Sequence, residues 1–259
     1  DAMWLLPVSV PIAADAGMSL PLLVEECRRR LKDDPSASRV VEKRRDAVMG
    51  LHKKATEQIE VWRHQNWDGS PLSLARVYTE IDRLMLDRQW ALVGEHGRRW
   101  RDGFTLTEAG HGIGGGRAGG VGYSLPSAIG AALGHLGDGR LCVNLQGDGD
   151  FLMTSNALWT AAHHRIPLLT VILNNHSYYN DEEHQERMAV RRDRPVENKG
   201  IGIRIEDPQP DLGGIARALG VAGFGPVDAP GELRETIEEA IQVVESGEPA
   251  VIDITTLPR

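Results

Sequence analysis

The run Leu141–Tyr179, LCVNLQGDGDFLMTSNALWTAAHHRIPLLTVILNNHSYY, decides how the rest of the chain reads. One apolar segment, Leu141 to Leu145, stops at Gly147-Asp148-Gly149. A second, Leu168 to Leu173, stops at Asn174-Asn175. Both are short and bounded by polar breaks, as a buried parallel strand is. Between them, about Met153 to His164, lies enough amphipathic sequence for one crossover helix. The run therefore reads as a β-α-β unit with both breaks at strand carboxyl ends. Open α/β sheets bind their ligands at that edge.

The residue types at the breaks specify a chemistry. Gly147 and Gly149 allow a tight turn and leave amides open to an anion. Asp148 offers a carboxylate oxygen and Asn175 a neutral amide oxygen from the next strand end. With a backbone carbonyl and phosphate oxygens, these complete the octahedral oxygen shell that Mg²⁺ prefers. The pattern points to a metal-bridged diphosphate.

Gly-Asp-Gly followed by Asn-Asn, with Asp148 and Asn175 separated by 27 positions (175 − 148), resembles a known motif. It is the thiamine diphosphate (ThDP) motif of the acetolactate synthase and 2-oxoacid decarboxylase superfamily, in its C-terminal diphosphate-binding domain. The resemblance implies ThDP and Mg²⁺ as cofactors. It implies Asp148, Asn175 and the backbone carbonyl of Ser177 as metal ligands. Gly147, Gly149, Asp150 and Tyr178 would lie against the diphosphate, with Tyr178-Tyr179-Asn180 opening a helix over it. Asp150 stands where relatives carry a small residue, and reads as pointing toward a helix N-terminus near Thr154.

Upstream, nine glycines fall between Gly103 and Gly122. Such density is costly inside a helix or strand and suits a backbone passing close to a ligand. The resembling family has a glycine-rich segment here that ends Gly120-Val121-Gly122-Tyr123-Ser124-Leu125-Pro126. The resemblance makes Val121 the apolar wedge that bends the cofactor, a smaller residue than the family's usual Met, Leu or Ile. It makes Gly119 the carbonyl that meets the cofactor's 4′-amino group.

The rest of the chain extends the same architecture. A helix is expected over 71–88 with Ser70 and Pro71 at its start, then a strand at Trp90–Val93. A helix is expected over 125–137, and the second Gly-Asp-Gly, at 137–139, precedes its strand and reads as a turn. After Asn175 come a polar segment, His184 to Ile205, a helix from Asp211 to Gly220, and a strand from Val221 to Val227. A helix from Pro230 to about Ser246 and a last apolar strand, Pro249 to Thr255, finish the chain. The sum is a doubly wound parallel sheet with helices on both faces. Arg187, Arg191, Arg192 and Arg194 are candidates for a substrate carboxylate or a CoA phosphate, against a reading as surface partners of nearby acids. His163-His164 reads as a helix C-terminal pair.

Residues 1–38 read as the tail of a central domain: a short strand at Val8–Ile12, then a helix capped by Ser19 with Leu20, Leu23, Val24, Cys27 and Leu31 on one face. Residues 39–69 read as a charged helical linker, with Lys43-Arg44-Arg45 solvated among interleaved acids. Residues 70–259 read as the ThDP diphosphate-binding domain. A net charge of −8 argues against a general nucleic-acid binder, and 41% hydrophobic with 25% charged residues is the balance of a globular protein. Two cysteines, Cys27 and Cys142, read as small core residues in a reducing, cytoplasmic setting.

The resemblance also says what is not within these 259 residues. Family chemistry needs a glutamate beside the cofactor's pyrimidine N1′, carried on a pyrimidine-binding domain. The expectation is a second polypeptide, or an upstream fragment, that supplies it, in a heteromer such as α₂β₂. The activity expected is that of a lyase or carboligase acting on a 2-oxoacid. The alternatives are a 2-hydroxyacyl-CoA lyase or oxalyl-CoA decarboxylase-like enzyme, and a non-catalytic scaffold that keeps the fold.

Overall fold

The computed structural model describes residues 8–94, 99–108, 110–113 and 120–258. The chain divides into two compact units, Asp1–Gln58 and Ile59–Arg259. In the first, helix α1 (Ala16–Asp33) starts at Asp15, whose carboxylate accepts from the Met18 amide at 2.9 Å. Asp15, not Ser19, is thus the cap; an acid before the first turn also meets the positive end of the helix. Residues 8–15 carry no strand. A strand needs a neighbour, and Val8, Val10 and Ile12 are exposed. The expected apolar face of α1 is not buried either: Leu20, Leu23 and Val24 are exposed, and so is Cys27, contrary to its reading as a core residue. Helix α2 runs unbroken over Pro35–His64, so residues 38 and 39 are not separated by a break.

Chemistry-bearing residues lie in the second unit. Its elements in order are α3 (Leu74–Met85), β1 (Trp90–Val93), α4 (Trp100–Gly103), β2 (Gly112–Ile113), α5 (Ser124–Gly134) and β3 (Leu141–Gly147). Then come α6 (Asp148–Thr154), α7 (Leu158–His163), β4 (Leu169–Asn174), α8 (Tyr179–Arg191), α9 (Leu212–Ala218), β5 (Ala222–Val227), α10 (Pro230–Glu245) and β6 (Ala250–Thr255). The sheet order is β2-β1-β3-β4-β6-β5, and every pairing is parallel. Parallel strands put all their carboxyl ends on one rim. The five strands expected from Trp90 onward are present, and β2 is a short sixth.

Side chains alternate across the sheet, and both faces are covered. Leu141, Val143 and Leu145 of β3, with Leu169, Val171 and Leu173 of β4, join the core formed with α3 and α10. Cys142 and Ile172 point the other way, into the core shared with α5, α7 and α9. Trp62, at the carboxyl end of α2, packs on the first core and lies 6.5 Å from the Tyr78 ring. The domain core thus begins ahead of Ser70.

Two local expectations change. Helix α3 is capped by Ser73, whose hydroxyl accepts from Arg76 N at 3.2 Å, not by Ser70. The reason is tertiary: Leu72 is held on β6, its N–H donating to Thr255 O at 3.1 Å, so helix cannot begin until after it. The crossover is two short helices with a 3₁₀ turn, Ser155–Ala157, between them, and it starts at Asp148 rather than near Met153. Ser155 and Asn156 disfavour a continuous helix because their side chains compete for backbone groups. Starting at Asp148 is what matters for function. It puts that carboxylate in the first turn, among amides with no helical partner.

Candidate functional site

Register brings the two strand ends level. Gly147 of β3 faces Leu173 of β4, so Asp148 emerges beside the Asn174-Asn175 turn. One backbone amide ties the pair together. Ser177 N–H lies 3.1 Å from Asp148 Oδ2 and 3.1 Å from Asn175 Oδ1. Two acceptors sharing one donor must converge on one spot. They face the same rim of the sheet.

Asp148 is 1% exposed. Burial pushes its carboxyl up to about 6, and the amides of Gly149, Asp148, Ser177 and His176 oppose that rise. A buried carboxylate ringed by backbone amides is suited to a positive ligand. Among the described residues nothing lies within 4 Å of where a Cβ of Gly147 would stand, so they leave space open in front of the turn. Among the described residues no group of three or more His, Cys, Asp or Glu could hold a metal. The donor set here is different in kind: one carboxylate and one amide oxygen that converge on a single backbone amide. Such a set leaves coordination positions for a diphosphate, as Mg²⁺ usually requires. The residues present fit Mg²⁺ with ThDP.

Gly149 is a glycine for a steric reason. A Cβ there would run into the Tyr178 ring. That packing brings Tyr178 close to both acids: burial raises its phenol pKa first, and Asp148 and Asp150 add to the rise. Asp150 meets a helix N-terminus near Thr154, as expected. Its Oδ1 accepts from Gly122 N–H at 2.6 Å, and the Ser124 amide also favours its charged form. The N-terminus it meets is that of α5. Thr154 Oγ1 donates to Gly122 O at 2.9 Å. These bonds clasp the end of the glycine-rich segment against α6, and Val121 beside Gly122 is 53% exposed. Gly119 lies outside the described residues. Gly137 (φ 92°) and Gly139 (φ 71°) form the expected turn at the opposite rim.

Beyond Asn175 the backbone folds back on itself. Tyr178 N–H donates to Ile203 O at 3.0 Å, and Ile205 N–H to His176 O at 2.8 Å. Two buried acids near this loop escaped the sequence reading. Glu182 accepts from Ser177 Oγ–H at 2.8 Å and lies 3.6 Å from Arg204 and 3.8 Å from Lys199. Asp253, in β6, accepts from Asn174 Nδ2–H at 2.9 Å. A signal for Asp253 was present: it is the lone carboxylate in the apolar run PAVIDIT. Glu182 had none, since it is one of several acids after Asn180. Arg187 lies 3.4 Å from Glu183, a surface ion pair, and Arg191, Arg192 and Arg194 are exposed at the end of α8. His163 ends α7 and stacks on Trp159 at 4.7 Å.

A doubly wound parallel sheet whose adjacent strand ends carry a glycine-flanked acid and a paired-asparagine turn defines an α/β domain with its candidate site at the strand carboxyl ends, the edge where such sheets bind ligands. Residues 93–254 match the family described as thiamine pyrophosphate enzyme, C-terminal TPP binding domain, and the chain belongs to that family. It is 23% identical over 258 residues to a probable acetolactate synthase large subunit of Methanococcus aeolicus, covering 97% of this chain and 40% of that protein. It is 30% identical over 140 residues to the benzoylformate decarboxylase of Pseudomonas aeruginosa, covering 54% of this chain and 24% of that one. Among solved structures, the benzoylformate decarboxylase of Polynucleobacter necessarius superposes with a TM-score of 0.60 at 22% identity. That match covers 74% of this chain and 34% of the other, and shows the shared fold. The chain thus spans less than half the length of these relatives. Among the described residues no helix is long and apolar enough to cross a membrane.

Proposed function

We propose that this chain is the diphosphate-binding part of a ThDP- and Mg²⁺-dependent lyase or carboligase that acts on a 2-oxoacid. The observation that carries the reading is the shared Ser177 amide between Asp148 Oδ2 and Asn175 Oδ1. Asp148, Asn175 and the Ser177 carbonyl hold the metal. Gly147 and Gly149 let the diphosphate approach, Tyr178 shields it, and Asp150 holds the glycine-rich segment in place from beside it. Val121 supports the bent cofactor, with the Gly119 carbonyl at its amino group. When bound, thiamine diphosphate supplies a carbon nucleophile at thiazolium C2. This chain's own part is to fix the diphosphate end, orient the ring and keep water from the reacting carbon.

Residues 1–38 are the tail of a central domain, residues 39–69 a helical linker whose end, at Trp62, already packs on the core, and residues 70–259 the rest of the binding domain. The activating glutamate comes from a pyrimidine-binding domain outside these 259 residues, on a partner chain in a heteromer such as α₂β₂ or on an upstream part of the same protein. The names of the relatives support an acetolactate synthase-like or decarboxylase-like reaction. Titration with ThDP and Mg²⁺, alone and with a candidate partner, tests the cofactor reading. Saturable binding that needs both supports it, and no binding under either condition removes it. Screening pyruvate, benzoylformate and acyl-CoA donors for CO₂ release then separates the 2-oxoacid reaction from a CoA-dependent one. An active, cofactor-loaded species containing only this chain would remove the partner.

A further inference from the structure

The loop that presents Asn175 and Ser177 is not held by its own sequence alone. Asp253 is 2% exposed, and its neighbours in β6 from Ala250 to Ile254 are all apolar. Register places it against Ile172, two positions before the end of β4. A buried carboxylate is costly unless hydrogen-bonded, so its partner has a strong reason to stay in place. Its partner is the Asn174 amide, whose Nδ2–H donates to Asp253 Oδ1 at 2.9 Å. That bond settles which way the amide faces. A flipped amide would set oxygen against carboxylate and NH₂ against a backbone N–H.

With Nδ2 committed to Asp253, Asn174 Oδ1 faces the loop and accepts from His176 N–H at 3.1 Å. His176 is held at φ 56°, a left-handed conformation that non-glycine residues seldom adopt. The reversal there carries the next amide, Ser177 N–H, to Asp148 Oδ2 and Asn175 Oδ1. The first asparagine of the pair is therefore a relay, and β6 sets its orientation.

We propose that Asp253 is a positioning residue for the metal loop, acting through the Asn174 amide to hold the turn at His176 that brings Asp148, Asn175 and Ser177 together. The role in metal binding rests on the ThDP reading above. The hydrogen-bond relay itself does not.

A reciprocal exchange tests it. Asn174→Asp sets two buried carboxylates against each other with no donor between them. Asp253→Asn combined with Asn174→Asp restores a donor, now on position 253, and keeps an acceptor for His176 N–H. Three readouts are taken on the whole chain: Mn²⁺ binding in the presence of ThDP by electron paramagnetic resonance, amide exchange of His176 and Ser177 in ligand-free protein, and the urea midpoint. Asn174→Asp is expected to weaken Mn²⁺ binding and speed exchange at His176 and Ser177 by at least tenfold. The double variant should return both to within about threefold of wild type, a recovery that a purely bulk structural role would not give. If Asn174→Asp fails to fold, Asp253→Ala serves in its place and should weaken Mn²⁺ binding by at least fivefold while the β3 and β4 amides stay protected. Failure of the double variant to recover, or wild-type Mn²⁺ affinity in folded Asp253→Ala, overturns the proposal. Protected His176 exchange without any Mn²⁺ binding in wild type would overturn the metal role, and would trace the failure to the ThDP reading, not to the relay.

Discussion

Replacing Asp148 by Asn should make the metal-free protein more stable while removing its metal binding. The carboxyl sits 1% exposed, with burial pushing it up to about 6 from an ordinary 3.8. In the folded state the proton is therefore held more tightly than in the unfolded chain. Stability from this group is complete below pH 3.8 and is lost as pH rises through about 6. The loss above pH 6 amounts to about 3 kcal/mol by linkage. Asparagine is nearly the same size, keeps an oxygen for Ser177 N–H and carries no charge. In EDTA at pH 8, Asp148→Asn should raise the free energy of urea unfolding by about 1 to 3 kcal/mol. At pH 4, where wild type is largely protonated in the fold, the two proteins should differ by less than about 1 kcal/mol. With Mn²⁺ and ThDP added the order reverses, because only wild type gains ligand stabilisation. Equal stability of the two proteins at pH 8 in EDTA would show that Asp148 is not a strained buried charge. A variant that still bound Mn²⁺ as wild type does would remove it from the metal shell.

Gly149→Ala should cost about 1 to 3 kcal/mol, as overpacking does, because the new methyl meets the Tyr178 ring; adding Tyr178→Leu should recover most of it, and additive urea midpoints would contradict the contact. Glu182→Ala should leave the Ser177 hydroxyl without its 2.8 Å acceptor and remove one of the two carboxylates beside each of Arg204 and Lys199. Limited proteolysis within residues 196–206 should then speed up at least threefold, and an unchanged rate would show that Glu182 does not anchor that segment. Of the two thiols, Cys27 is exposed, whereas Cys142 is buried and pushed up to about 11, mainly by desolvation. Iodoacetamide at pH 8 should label Cys27 in the folded protein and reach Cys142 only in urea; rapid labelling of both would contradict the burial of β3.

The site was legible where chemistry and chain order coincide. Asp148 and Asn175 lie at the ends of two apolar runs that their composition alone makes buried strands, so sequence placed them on one rim. Asp150 shows where that stopped. Its type was visible, but its acceptor role toward Gly122 depends on how α6 packs against the start of α5. Glu182 looked like any other surface acid until the fold buried it beside Ser177.

By itself, then, the sequence determined the parallel α/β pattern, the strand ends and the oxygen donors available there. It could do so because strand periodicity and turn residues act over a few neighbours. Tertiary structure alone decided that α3 starts at Ser73 and that Cys27 and the α1 face stay exposed. It alone joined Asp253, 79 residues on, to Asn174. Those outcomes depend on which elements become neighbours, and no local spacing encodes the free energy of a contact formed across the sheet.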